Sequence, residues 1–195
     1  GDGDRDAVTA NESDASVSVL LGDGHGHLAL HTTYSDLVAP VSVALGDMDG
    51  DGNLDIVTAS FTLSRVSVLF GNGDGTFPSR ADFMVGTVAR SGPRSLAVGD
   101  VNGDGNLDIV TANHWNEYGS KSVSVLLGQG NGEFLHFTDL STLRGPFGVT
   151  LNDLNRDGRL DILITNHLAE SISVFWGDED GTFATRSDFL TTYVP

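Results

Sequence analysis

The sequence predicts an all-β protein made of about four repeats, and three observations carry that prediction. An acidic nine-residue segment recurs without gaps, as DMDGDGNLD at 47–55, DVNGDGNLD at 100–108 and DLNRDGRLD at 153–161, each copy 53 residues after the last. Between copies, apolar residues alternate with serine at period two, as in Val66/Val68/Phe70, Val123/Val125/Leu127 and Ile172/Val174/Trp176, the pattern of a pleated strand with one face in a core. No segment carries the apolar stripe of a helix.

Each unit reads as four strands. Strand A, such as 41–46, runs into the acidic segment; strand B, such as 56–59, follows it at once; strand C is the alternating run at 16–22, 64–71, 122–128 and 171–177; strand D lies around 81–85. Alternate glycines, among them Gly22/Gly24/Gly26 and Gly71/Gly73/Gly75, supply the C to D turns, where positive φ favours glycine. A proline marks the start of each strand A, at Pro40, Pro93 and Pro146, and the last residue, Pro195, fits the same place. Four antiparallel strands per repeat make β-propeller blades, at about 1–39, 40–92, 93–145 and 146–195. The competing parallel β-helix would repeat its acidic motif once per turn rather than once per four strands. The chain opens inside a fourth copy of the segment, GDGDRD at 1–6, so the first blade lacks strand A. One strand short of closure, the array is expected to be part of a larger propeller, completed by flanking chain or by neighbouring subunits.

Composition narrows the partners. Ten basic against 27 acidic residues give a net charge of −17, which repels phosphate backbones and excludes nucleic acid. No apolar run approaches the ~18 residues of a membrane-spanning helix, so no membrane insertion is expected, and the sequence given shows no leader. The absence of cysteine excludes a disulfide framework and a thiolate metal site.

The acidic segments carry the chemistry. Side chains at positions one, three and five, a glycine at six, a backbone carbonyl at seven and an aspartate at nine place several oxygens around one hard cation, as calcium requires. The candidate ligands are Asp47, Asp49, Asp51, Asn53 and Asp55; Asp100, Asn102, Asp104, Asn106 and Asp108; and Asp153, Asn155, Asp157, Arg159 and Asp161, with the seventh residue acting through its carbonyl. Asp2, Asp4 and Asp6 keep only positions five, seven and nine, a partial site. Magnesium needs stricter octahedral geometry, and transition metals need nitrogen or sulfur ligands that these segments lack. An EF-hand would close with glutamate at position twelve between helices.

The stretch SLAVGDVNGDGNLDIVTAN at 95–113, followed by SVSVLLG at 122–128 and GEF at 132–134, resembles the VCBS and FG-GAP repeats. The resemblance spans essentially the whole chain and implies a propeller similar to the integrin α-subunit head. It further implies calcium between strands A and B, in secreted or cell-surface proteins of adhesion and carbohydrate recognition.

Function belongs to the face opposite the acidic segments. There the third B to C loop is the longest and holds His114, Trp115 and Tyr118, an aromatic platform for a glycan or protein ligand unless Trp115 packs on a neighbouring blade. His167 occupies the place of His114 in the next repeat, as Glu12 and Phe61 do in the first two. Asn11 begins an N-glycosylation triplet, Asn11-Glu12-Ser13. Asp139, Glu117, Glu133 and Glu170 stand isolated, and no catalytic triad, phosphate loop or cofactor motif is present, so no enzyme is expected. The reading is an extracellular, calcium-stabilised scaffold for binding, adhesion or assembly. The competing readings are a propeller domain of a secreted glycosidase or polysaccharide lyase, and a filament protomer.

Overall fold

The computed structural model describes residues 3–86, 92–114, 121–179 and 181–191. They form fifteen strands in four antiparallel sheets and one short 3₁₀ turn, His167–Ala169. The first sheet holds β1 (Ala7–Asn11), β2 (Ser16–Gly22) and β3 (Leu28–Tyr34). The second holds β4 (Pro40–Gly46), β5 (Asp55–Ser60), β6 (Arg65–Phe70) and β7 (Ser79–Met84). The third holds β8 (Pro93–Gly99), β9 (Asp108–His114), β10 (Lys121–Gly128) and β11 (Phe134–Ser141), and the fourth β12 (Pro146–Asn152), β13 (Asp161–Asn166), β14 (Ser171–Trp176) and β15 (Thr185–Leu190). Each sheet is an up-and-down meander in chain order, the blade architecture expected from the repeat.

Stacking of the sheets explains the strand compositions. Ile56 of β5 packs with Val17 and Val19 of the first sheet, while its neighbours Val57 and Ala59 pack with Ile109 and Leu126 of the third. Because both faces of β5 are covered, the strand is buried throughout and reads as a nearly continuous run rather than an alternation. Val110, Ala112, Val123 and Val125 repeat the arrangement against Ile162, Ile164 and Phe175. The outermost strands, such as β7 and β15, expose most of their residues.

Three cores thus serve four sheets. Packing runs from β1 to β4, to β8 and to β12, and among the described residues β12 does not return onto β1 in comparable contact. One face of the first sheet, with Leu20 and the 65% exposed Leu30, and the opposite-handed face of the last, with Leu163, Thr165 and Ile172, are therefore uncovered.

Polar ladders tie the third and fourth sheets across their width. The serine between the apolar residues of strand C accepts from an asparagine on strand B and donates to an acid on strand D: Asn113 Nδ2 donates to Ser124 Oγ at 2.7 Å, and Ser124 donates to Asp139. Asn166, Ser173 and Asp188 repeat the ladder, at 2.8 and 2.5 Å. Asp139, isolated in the sequence reading, is thus bound within its own sheet.

All three complete sheets begin with a β-bulge. Register shifts between Pro40 and Ser42, Pro93 and Ser95, and Pro146 and Gly148 leave Val41, Arg94 and Phe147 without a ladder partner. Such an extra residue bends the strand and re-aims its side chain.

Ile109 is fully buried in the core between the second and third sheets, whereas Leu135 is 61% exposed. Replacing Ile109 by alanine is expected to cost about 2–5 kcal/mol, and replacing Leu135 to stay within about 0.5 kcal/mol, as read from urea unfolding.

Candidate functional site

The acidic segments form the A to B connections at one end of the stacked sheets. In the first complete copy, Asp47 accepts from Gly50 N at 2.8 Å and from Gly52 N at 3.0 Å, so one carboxylate folds the loop around itself. Asp51 accepts from Asn53 N at 2.7 Å. Gly50 and Gly52 sit at φ 77° and 88°, as Gly103 and Gly105 do at 76° and 90°. In the third copy Arg156 holds the first of these left-handed positions at φ 65°, a conformation that costs a side-chain-bearing residue roughly 1–2 kcal/mol.

The aspartate at position nine does something the ligand count did not anticipate. Asp55, Asp108 and Asp161 are fully buried at the first residue of strand B. Asp55 accepts from Met48 N at 2.7 Å with one oxygen and from Gly71 N at 2.8 Å with the other. Asp108 accepts from Val101 N and Gly128 N, both at 2.8 Å, and Asp161 from Leu154 N at 2.9 Å and Gly177 N at 2.8 Å. Each carboxylate therefore joins its loop, strand B and the end of strand C. The glycine is obligatory for close approach: a Cβ on Gly71 would lie 2.3 Å from the carbonyl oxygen of Leu54, and one on Gly128 2.2 Å from that of Leu107. Asp6 keeps one half of the clamp, accepting from Gly22 N at 2.9 Å.

Burial raises the Asp55 carboxyl and pushes that of Asp108 up to about 6, with the charges of Asp104 and Asp100 adding to the second shift. The acids at position five go the other way. Asp51 and Asp104 are lowered mainly by the backbone N–H of Asn53 and Asn106, and Asp157 by the Asn155 side chain and then the Arg159 N–H.

In the first complete copy, oxygens of Asp47, Asp49 and Asp55 all lie within 4.8 Å of one another. Calcium–oxygen bonds of about 2.3–2.6 Å let a single ion reach three oxygens so spaced. The later copies carry Asn102 and Asn155 at position three, and among the described residues their carboxylates do not gather as closely. Asn102 Oδ1 accepts from Asp104 N at 3.1 Å, and Asn155 Oδ1 from Asp157 N at 3.0 Å. In the last copy the Arg159 guanidinium bonds Glu179 at 3.0 Å and stands 3.5 Å from Asp157, placing a positive charge beside the loop. Asp4 lies against the turn at Gly24, while Asp2 is outside the described residues.

Residues named for the opposite face divide. Trp115, Tyr118 and Glu117 lie outside the described residues. His114 and His167 flank the Phe147 ring, at centroid distances of 6.1 and 6.0 Å. Burial holds the His114 imidazole below its ordinary range, Arg94 and His167 lower it further, and the Pro146 carbonyl opposes them. Asn11 turns its amide into the first sheet, donating to Ser18 Oγ at 2.8 Å and Ser16 Oγ at 3.2 Å.

Replacing Asp108 by asparagine leaves an amide group facing a backbone N–H and is expected to cost about 1–3 kcal/mol. The same variant tests the titration. The carboxyl has a value near 3.8 unfolded and about 6 folded, so the folded state holds its proton more tightly in that window. The stability that the protonated group contributes is full below the unfolded value and is lost as pH rises through the folded one. In cation-free buffer, the melting temperature of the parent chain relative to Asp108→Asn is expected to fall between about pH 4 and 7.

The FG-GAP-like repeat matches this chain over residues 1–58, 47–111 and 112–164. No curated protein matches the sequence. Among solved structures, a lectin from Agrocybe aegerita described as recognising non-reducing terminal N-acetylglucosamine shares 22% identity at a TM-score of 0.58, over 91% of this chain and 47% of its own. A protein from Bacteroides uniformis ATCC 8492, classed provisionally as a 6-phosphogluconolactonase, shares 16% identity at a TM-score of 0.64, over 95% of this chain and 53% of its own. The chain spans about half the length of these two structures, and at such identities the likeness is one of fold. With its strand order, its acidic A to B connections and repeat matches running from residue 1 to 164, the chain belongs to the FG-GAP-like repeat family.

Proposed function

We propose that the chain is a calcium-stabilised propeller segment of a secreted or cell-surface protein, acting as a binding, adhesion or assembly module for a glycan or protein ligand. The observation that carries the calcium reading is the convergence of Asp47, Asp49 and Asp55 oxygens within 4.8 Å. Three carboxylates so close repel one another, and a divalent cation relieves that repulsion. The donor set is all oxygen, which suits calcium and not the softer metals. In the second and third loops the neutral side-chain oxygens of Asn102 and Asn155 stand where the first has the Asp49 carboxylate, so weaker binding there follows.

Calcium sites of extracellular modules have dissociation constants of about 10⁻⁴ to 10⁻³ M, which suits an extracellular location. Binding rather than catalysis is favoured because the strand D acids are already engaged: Asp82 accepts from Ser67 Oγ at 2.6 Å, and Asp139 and Asp188 hold the equivalent serines. Further blades, from flanking chain or neighbouring subunits, cover the apolar faces of the first and last sheets. The ligand face is the end opposite the loops, where Phe147, His114 and His167 meet; the glycan recognition described for the Agrocybe lectin accords with that use of a propeller.

Because calcium binds only the folded loops, a hundredfold excess over the dissociation constant adds about 2.7 kcal/mol per site. Excess EGTA is expected to lower the melting temperature, and Asp49→Asn, which gives the first complete loop the side chain that the second carries as Asn102, to reduce that shift. A melting curve unmoved by EGTA would overturn the reading.

A further inference from the structure

At the end of the sheets away from the acidic loops, a cavity of about 430 Å³ takes residues from all four sheets, among them Glu12, Ser42, Arg94, Ser95 and Phe147. Its volume lies in the range of small-molecule sites, about 300–1,000 Å³. Two of these residues are there because of the bulges. Arg94 and Phe147 are the unpaired residues at the starts of β8 and β12, and the bulge turns both toward the cavity.

Arg94 is half-buried, and among the described residues it forms no ion pair with a carboxylate. Its guanidinium instead stands 4.9 Å from the centroid of Phe147 and 5.5 Å from that of Phe61. Two aromatic rings fix the plane of the group while leaving its fork of N–H donors without an anion. Ser42 Oγ accepts from Leu96 N at 3.2 Å and Ser95 Oγ from Val149 N at 3.3 Å, so each hydroxyl keeps its own proton to donate. The His114 ring, 6.1 Å from that of Phe147, keeps its Nδ1 buried without a hydrogen-bond partner.

In a chain of net charge −17 the cavity gathers hydrogen-bond donors around one cationic group, Arg94, with Glu12 the acid among its lining residues. The acidic loops lie at the far end of strands about 20 Å long. A Debye length of about 8 Å at physiological ionic strength screens most of their field at that distance.

We propose that the cavity binds a compact sugar acid, a saccharide ring bearing a carboxylate. The carboxylate seats on the Arg94 guanidinium with the Ser42 and Ser95 hydroxyls donating to it. The ring lies along Phe147, which is 42% exposed, and Glu12 accepts from a ring hydroxyl. This deepens the reading of that end as the binding face and does not depend on calcium. The small volume suits a terminal sugar rather than an extended chain, and the exposed ring gives a saccharide more to rest on than a bare anion would use.

The test is calorimetric titration of the chain, in calcium and again in EGTA, with galacturonate, galactose, sodium sulfate and a short peptide with a free terminal carboxylate. Galacturonate is expected to bind at least tenfold more tightly than the other three. Arg94→Gln should weaken it at least tenfold with an unchanged melting temperature, Arg94→Lys should lose less, and Phe147→Ala should weaken galacturonate without creating affinity for sulfate. Failure of galacturonate to bind, equal binding of galactose, sulfate or peptide, or full affinity in folded Arg94→Gln would each overturn the proposal. Should Arg94→Gln fail to fold, the Arg94→Lys titration and the His114 and His167 ring resonances of the parent chain on adding galacturonate decide it, unmoved resonances counting against. A chain that ignores EGTA yet binds galacturonate would overturn the metal reading alone.

Discussion

A buried carboxylate gripping two backbone N–H groups is the interaction on which the rest of this molecule depends. Asp55, Asp108 and Asp161 stand where loop, strand B and strand C come together, and each binds donors from two of those elements. Burying a charge is costly unless its oxygens are satisfied, and charge-assisted hydrogen bonds to backbone are among the stronger ones available. The arrangement also makes the acidic loops rigid extensions of the sheets. A cation bound there, as proposed, would be felt directly by the core, because the same aspartate that closes the loop begins the most deeply buried strand.

The two ends of the sheets are built on different principles. At the loop end, three copies of one motif repeat almost unchanged; apart from the apolar residue at position two they differ only in Asp49 against Asn102 and Asn155, Gly50 and Gly103 against Arg156, and Asn53 and Asn106 against Arg159. At the other end the equivalent residues diverge in chemistry. Val41, Arg94 and Phe147 occupy one bulge position, and Glu12, Phe61, His114 and His167 one position after strand B. Repetition preserves the scaffold at one end, while the divergence at the other is what a specific binding surface requires.

Much of this was legible in the sequence because the repeat amplifies every local signal. A single alternation such as Val66/Val68/Phe70 is ambiguous, but the same alternation after each acidic segment establishes strand C, and the observed strand falls at Arg65–Phe70. Less legible were features that depend on contact across strands. The first glycine of each C to D run reads as a turn residue, yet Gly71 is there because the Leu54 carbonyl leaves no room for a Cβ. Asp139 reads as a stray acid until Ser124 is seen beside it. Nor does the spelling of Pro-Arg-Ser differ from any other strand start; only the register shift between Pro93 and Ser95 reveals that Arg94 is a bulge.

Every interface between neighbouring sheets joins the same two kinds of face, one carrying residues such as Val57 and Ala59 and the other residues such as Ile109 and Leu126. An interface of this kind is indifferent to how many others exist. Duplicating or deleting one 53-residue stretch creates no new packing problem, so a gene of this design can change its blade number without first evolving a new core. Once copied, each blade contributes an independent bulge residue to the axial end. Recognition can then diversify one copy at a time, on a frame whose folding rules stay constant.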